Sequence, residues 1–278
     1  MGNSPLSSVW KRFRPAVSAG EKSDLLQGKG TPWTDWKSSA RISSLSPIEP
    51  KQIATLQQRV VIIAPHPGFE TVACGGLLQR FSKLGCPILL ISLTDGSGSH
   101  AGSSLWTPER LSAIRPQESA ESLRRLGLPL NRLKWIRGGF QDGGLESEQD
   151  RLAEFLLRYI QPDDVIFTSW RQDGHTDHET TGMVAGSIAE SLGASLYEVP
   201  VWAWHWAEPN DARIPWYRLR KLPLSRWTVA RKRHAIQAHA SQLMGDPEIG
   251  EEPAFGTYTQ QRTLQPYEII LTPTVTLA

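Results

Sequence analysis

Imidazoles and carboxylates gather in two short segments of this chain. The first reads Ala64-Pro65-His66-Pro67-Gly68-Phe69-Glu70 and leads to Gly75-Gly76; the second reads Asp173-Gly174-His175-Thr176-Asp177-His178. Imidazole nitrogen is a good zinc ligand, and an aspartate beside a ligating histidine can orient its ring. His66 and His178 are therefore candidates to share a metal. Taken singly, either segment reads equally well as a helix cap or a satisfied polar turn. The metal reading gains weight only if the fold brings the two together.

The intervening pattern says that it does. Val60–Ala64 is a continuous β-branched run, the mark of a strand buried on both faces, and His66 follows it directly. Apolar residues at helical spacing fill Thr71–Leu84. Ile88–Leu93, Leu133–Ile136, Asp164–Trp170 and Leu196–Trp202 read as further strands. Pro108–Leu126, Glu148–Ile160 and Asp177–Leu192 read as helices between them, with Arg115-Pro116 marking either a kink or a true helix start. This alternation predicts an α/β, Rossmann-like three-layer fold with a mainly parallel sheet. Ligands of such sheets lie beyond the carboxyl ends of the strands, where the loops at 65–70, 94–104 and 170–178 would meet. No Gly-x-Gly-x-x-Gly follows the first strand, which argues against a nucleotide-using Rossmann enzyme. The pairs Gly75-Gly76 and Gly143-Gly144 permit close backbone approach but lack the lysine and hydroxyl of a phosphate loop.

These motifs resemble the PIG-L/LmbE-like zinc-dependent N-deacetylases, over about Val60 to Leu243. That family carries Ala-x-His-Pro-Asp-Asp-Glu before a Gly-Gly pair, and a late His-Pro-Asp-His often preceded by Asp-Gly. Arg115-x-x-Glu118, Asp142-Gly143-Gly144 and Pro200-Val201-Trp202-Ala203-Trp204-His205-Trp206 match further family segments. The resemblance implies removal of acetyl from an N-acetylglucosamine-like amino sugar or conjugate by metal-activated water. It implies His66 and His178 as zinc ligands, His175 as the group that protonates the leaving amine or stabilises the oxyanion, and Asp177 as the orienter of a histidine. It places Arg115 at the substrate, and Asp95, at the end of the second strand, is a further substrate-side carboxylate. The departures are Gly68, where the family has its general base, and Phe69, where it has its third zinc ligand. Phenylalanine offers no lone pair, and loss of a general base typically costs roughly 10²–10⁴-fold in rate. Only two of the three family zinc ligands remain. The alternative to a hydrolase is accordingly a catalytically inactive binder of a sugar or conjugate.

Composition sets the outer bounds. The 278 residues, 39% hydrophobic and 21% charged, are ordinary for a globular protein. Thirty basic against 28 acidic residues leave a net charge of +2, which excludes a dominant polyanion binder and predicts no nucleic-acid partner. The even sum hides residues 213–233, with eight basic and no acidic side chains from Arg213 to Arg233, a stretch able to meet an anionic partner. Cys74 and Cys86 read as buried thiols, no apolar run reaches membrane-spanning length, and Lys11, Arg12 and Arg14 have no apolar core behind them. A cytoplasmic protein is expected. Residues 1–54 read as a weakly ordered extension from which Trp33 and Trp36 can dock, and 55–278 as one α/β domain. Trp202, Trp204 and Trp206 alternate, placing three rings on one face if the stretch is extended. They serve either packing or a sugar. Lys232–Gln242 reads as a C-terminal helix whose Lys232 and His239 are structural or face the pocket.

Overall fold

The computed structural model describes residues 26–131 and 133–273, so the readings made of the first 25 residues lie outside it. Seven strands form one sheet in the order β3-β2-β1-β4-β5-β7-β6. They are β1 (Val60–Ala64), β2 (Ile88–Thr94), β3 (Lys134–Phe140), β4 (Val165–Ser169), β5 (Ser195–Val199), β6 (Leu219–Pro223) and β7 (Tyr267–Leu271). β1 pairs in parallel with both β2 and β4, with Val60 opposite Ile88 on one side and Val165 on the other. β3 and β5 extend the parallel part, and β7 and β6 add antiparallel strands beyond β5. Every residue of β1, β2 and β4 is buried, because helices cover both faces.

The helices are α1 (Trp33–Ser38), α2 (Ala40–Ser44), α3 (Pro50–Ile53), α4 (Phe69–Val72), α5 (Gly75–Leu84), α6 (Pro108–Arg125), α7 (Gln149–Leu157), α8 (Thr176–Leu192), α9 (Ala203–Trp206), α10 (Arg226–Ile236), α11 (Ala240–Leu243) and α12 (Thr257–Thr263). On one face of the sheet Phe81 of α5, Leu123 of α6 and Ala235 of α10 join Ile62, Leu90 and Phe167. On the other, Leu152 of α7 and Ile188 of α8 join Val61, Ile91 and Ile166. Each such aliphatic or aromatic side chain contributes roughly 1.5–3 kcal/mol by leaving water. The predicted three-layer α/β architecture is the one observed. α6 starts at Pro108 under the cap of Thr107, whose hydroxyl accepts the Arg110 N–H, and runs unbroken through Pro116. No helix among the described residues is long and apolar enough to cross a membrane.

Several expectations change. β5 ends at Val199 rather than Trp202, because Asp173 Oδ1 accepts the N–H groups of Val201 and Ala203 at 2.9 and 3.0 Å and curls the chain into α9. Trp202, Trp204 and Trp206 therefore diverge instead of sharing one face. Trp204 packs edge-on to Trp36 at 5.1 Å, Trp206 donates to Asp173 O at 2.7 Å, and Trp202 faces a cavity. The basic stretch contains β6, the last strand of the sheet order, whose charged side chains disguise its periodicity and whose outer side is bridged at Lys221 by residues 46–48. Residues 33–53 hold three short helices, with Trp33 and Trp36 buried in a tryptophan-rich cluster against β6 and β7. The helix read over Lys232–Gln242 is interrupted between α10 and α11.

Candidate metal centre and active site

The carboxyl ends of the five parallel strands surround a cavity of about 310 Å³. His66 arrives from the loop after β1, Gly96, Gly98 and Ser99 from the loop after β2, and Asp142 from the turn after β3. His175 is the extended residue just before α8 and His178 lies in its first turn, with their ring centroids 4.9 Å apart. Gly174, with φ of +90°, lets the chain turn there; a Cβ would meet Trp206 Nε1 at 2.7 Å. The predicted convergence of the two histidine segments is thus met. The ring centroids of His66, His175 and His178 lie 4.9–5.5 Å apart.

Each of two rings is held from behind by a carboxylate. His66 Nδ1 lies 2.7 Å from Asp142 Oδ1 and 3.1 Å from Thr94 Oγ1. Burial pushes Asp142 upward, but the hydrogen bond and charge of His66, the Gly98 N–H and Arg115 outweigh it and hold the carboxyl well below the usual range. His178 Nδ1 lies 2.8 Å from Asp173 Oδ2. Burial raises Asp173 to about 7, against the backbone N–H groups of Ala203, Trp202 and Val201. Burial first, then neighbouring imidazoles, lower both His175 and His178 well below the ordinary histidine value, so both rings are kept neutral. Neutral imidazole is the form that ligates a metal. His66 Nε2 and His175 Nδ1 are buried without a hydrogen-bond partner among the described residues. Two atom sets lie within 4.8 Å of one another and can hold an ion: His66, His175 and His178, or His66, Asp142 and Asp177. Orphaned nitrogens facing a shared space fit a bound zinc.

Asp177 does not orient a histidine through a close hydrogen bond. Its carboxylate accepts Gly143 N–H at 2.8 Å and Leu145 N–H at 3.2 Å, with Oδ2 3.7 Å from His66 Nε2. Burial raises its pKa. The orienting aspartates are instead Asp142 and Asp173. Arg115 lines the cavity, but its guanidinium donates to Gly96 O, to Ser99 Oγ at 2.8 Å and to Ser241 Oγ at 3.3 Å. Ser241 in turn donates through N–H and Oγ to Glu118, at 2.8 and 2.7 Å. The Arg115-x-x-Glu118 pair therefore clamps α6, α11 and the glycine-rich loop. Asp95 does not reach the cavity; both its oxygens accept from Arg137 NH2 at 2.8 Å near the sheet edge.

Gly68 and Phe69 are built into the site as apolar replacements. Gly68 caps α4 with φ of +93°, and a Cβ there would run into the Phe255 ring. Phe69 is 3% exposed and meets His178 edge-on at 5.8 Å. Glu70 does not swing in as a substitute base: its Oε2 accepts the Gly68 N–H at 2.9 Å, and it is wholly buried. Phe255, Gln242, Trp202 and Arg262 also line the cavity. No local spacing signals Phe255, Gln242 or Arg262, which come from a segment far along the chain. Lys232 and His239 are structural: Lys232 pairs with Glu268 at 2.6 Å, and His239 packs against Phe255 at 5.5 Å.

The chain is similar to known proteins in sequence and in fold. The family model described as PIG-L, GlcNAc-PI de-N-acetylase, matches residues 61–189. A probable N-acetyl-alpha-D-glucosaminyl L-malate deacetylase of Bacillus cereus is 28% identical over 134 residues, 46% of this chain and 59% of that protein. The chain thus spans under two thirds of that relative. A 1D-myo-inositol 2-acetamido-2-deoxy-alpha-D-glucopyranoside deacetylase of Rhodococcus opacus is 23% identical over 230 residues, covering 71% of this chain and 72% of that one. The same fold occurs in a zinc-inhibited teicoplanin deacetylase, with TM-score 0.56, 13% identity and coverage of 79% of this chain and all of that one. It also occurs in a 4-carboxy-2-hydroxymuconate hydratase from Pseudomonas putida, with TM-score 0.50, 14% identity and coverage of 80% and 98%.

Proposed function

We propose that this chain, whose residues 61–189 match the PIG-L family model, is a hydrolase of the PIG-L/LmbE type that cleaves the amide of an N-acetylated amino sugar or conjugate, assisted by a metal. The observation that carries the reading is the meeting of His66 and His178 beyond the parallel strands, each backed by its own aspartate. Those two histidines would hold a zinc ion, which when bound supplies Lewis acidity to the amide carbonyl and to an attacking water.

The remaining work falls to the chain itself. Asp142 and Asp173 hold the Nδ1 atoms of His66 and His178, which fixes the opposite nitrogen of each ring toward the shared space. Asp177, whose Oδ2 lies 3.7 Å from His66 Nε2, is a carboxylate near that nitrogen not bonded to a histidine Nδ1, and the lone pairs it does not use on Gly143 and Leu145 would take a proton from the attacking water and return it to the leaving amine. It stands in for the missing base at Gly68. The Trp202 ring, at the cavity and stacked 6.1 Å from His175, offers an apolar face to a saccharide ring.

The test is release of a primary amine from N-acetylglucosamine conjugates by purified, zinc-supplied protein. Asp177→Asn is expected to lower kcat by roughly 10²–10⁴-fold. No amine release by the wild-type chain on a panel of such conjugates would defeat the proposal and leave the non-catalytic binder.

A further inference from the structure

We propose that His175 is the third metal ligand, so that three histidines hold the metal where the resemblance implies two histidines and an aspartate. This rests on the metal-dependent reading above and assigns His175 a role different from proton donation.

The third-ligand position of the family is Phe69, and its ring has no lone pair to offer. The site holds two other donor sets. In the one with carboxylates, Asp142 is committed to His66 Nδ1, the side of the ring away from the orphaned Nε2. Asp177 has both oxygens engaged by the N–H groups of Gly143 and Leu145. In the other set, nitrogens of His66, His175 and His178 lie within 4.8 Å of one another, close enough for small ring movements to bring all three to one ion. Among the described residues no carboxylate is hydrogen-bonded to His175, and its Nδ1 is buried and without a partner.

The surroundings also fix the His175 ring for such a role. Trp202 stacks against it with planes 18° apart, and His175 is the extended residue capping α8, ahead of the His178 turn. Phe69 and His178 meet edge to face, so the phenyl ring packs beside the cluster rather than opening it to a fourth side chain. Three neutral imidazoles leave the full double charge on the ion, whereas an aspartate ligand would cancel half of it. Three histidines and one open position form an established catalytic zinc arrangement.

Metal binding to the purified chain tests this independently of turnover. Competition with a chromophoric chelator is expected to give about one zinc per wild-type chain, with affinity falling at least about 100-fold in His175→Ala. Asp177→Asn is expected to stay within a few-fold of wild type. X-ray absorption of the zinc-loaded wild-type protein, which needs no variant to fold, should count three imidazoles. Two imidazoles with a carboxylate, or a His175→Ala chain that binds as tightly as wild type, would overturn the inference while leaving the metal-dependent hydrolase standing. A wild-type chain that binds no zinc would overturn the hydrolase reading, and this inference with it.

Discussion

Gly68 is the residue whose replacement reaches furthest. Its φ of +93° suits glycine, and its missing side chain is what lets the Phe255 ring lie against α4. Restoring the family carboxylate by Gly68→Asp therefore meets two obstacles, left-handed backbone and an occupied space. We expect a loss of about 1–3 kcal/mol in denaturant unfolding. In a Phe255→Ala background the same substitution should cost less, with a coupling of about 1 kcal/mol or more. Strict additivity of the two changes would show that the ring is not what excludes the side chain. His66, His175 and His178 were legible from the sequence because each sits within a few residues of a strand end or helix start. Phe255 was not, since it comes from residues nearly two hundred positions away and meets Gly68 only in the folded chain. The mistaken assignment of Asp95 has a similar origin: position after a strand does not reveal that Arg137 on the neighbouring strand will claim its carboxylate.

At the scale of elements, the antiparallel strand β7 ties the helical layer to the sheet through one side chain. Glu268 accepts the N–H groups of Gly76 and Leu77 at the start of α5, both at 2.7 Å, and pairs with buried Lys232 of α10. Free amides at a helix start and a lysine ammonium together satisfy a carboxylate that would otherwise be costly to bury. Gly76 leaves room for this contact: a Cβ there would meet the Leu224 methyls at 2.5 and 2.6 Å and force that side chain to shift. Lys232→Met keeps the stem but leaves the carboxylate without its cation, and is expected to destabilise by about 3–5 kcal/mol. An unchanged unfolding midpoint would show that the two amides suffice. β1, β2 and β4 could be read from continuous apolar runs, which are unmistakable when both faces are covered. β6 and β7 could not: β6 is short, basic and ends at a proline, and its pairing depends on a partner 48 residues later.

For the molecule as a whole, buried His239 sets an acid limit. Burial, with Arg115 and Arg125 nearby, lowers its pKa from 6.5 to about 3. The folded state thus resists a proton that the unfolded chain accepts. Its contribution to stability is intact above pH 6.5 and is lost as pH falls from 6.5 toward 3, at up to about 1.4 kcal/mol per pH unit. Other groups titrate in the same range, so the readout is a difference. His239→Gln should lose about 2–3 kcal/mol less than wild type between pH 7 and pH 4.5, measured by denaturant unfolding. Parallel pH profiles for the two proteins would show that His239 is not the group responsible.

The strand order has a consequence during synthesis. β7 lies between β5 and β6, yet among the described strands it comes last in chain order. While a ribosome is still translating the residues before Tyr267, β5 has only β4 beside it and presents an open row of amides and carbonyls to the cell. By then the strands bearing the histidine loops can already be paired. A nascent chain stalled at that stage would carry an assembled histidine centre beside an unsealed sheet edge, which makes the docking of β7 a step on which escape from aggregation depends.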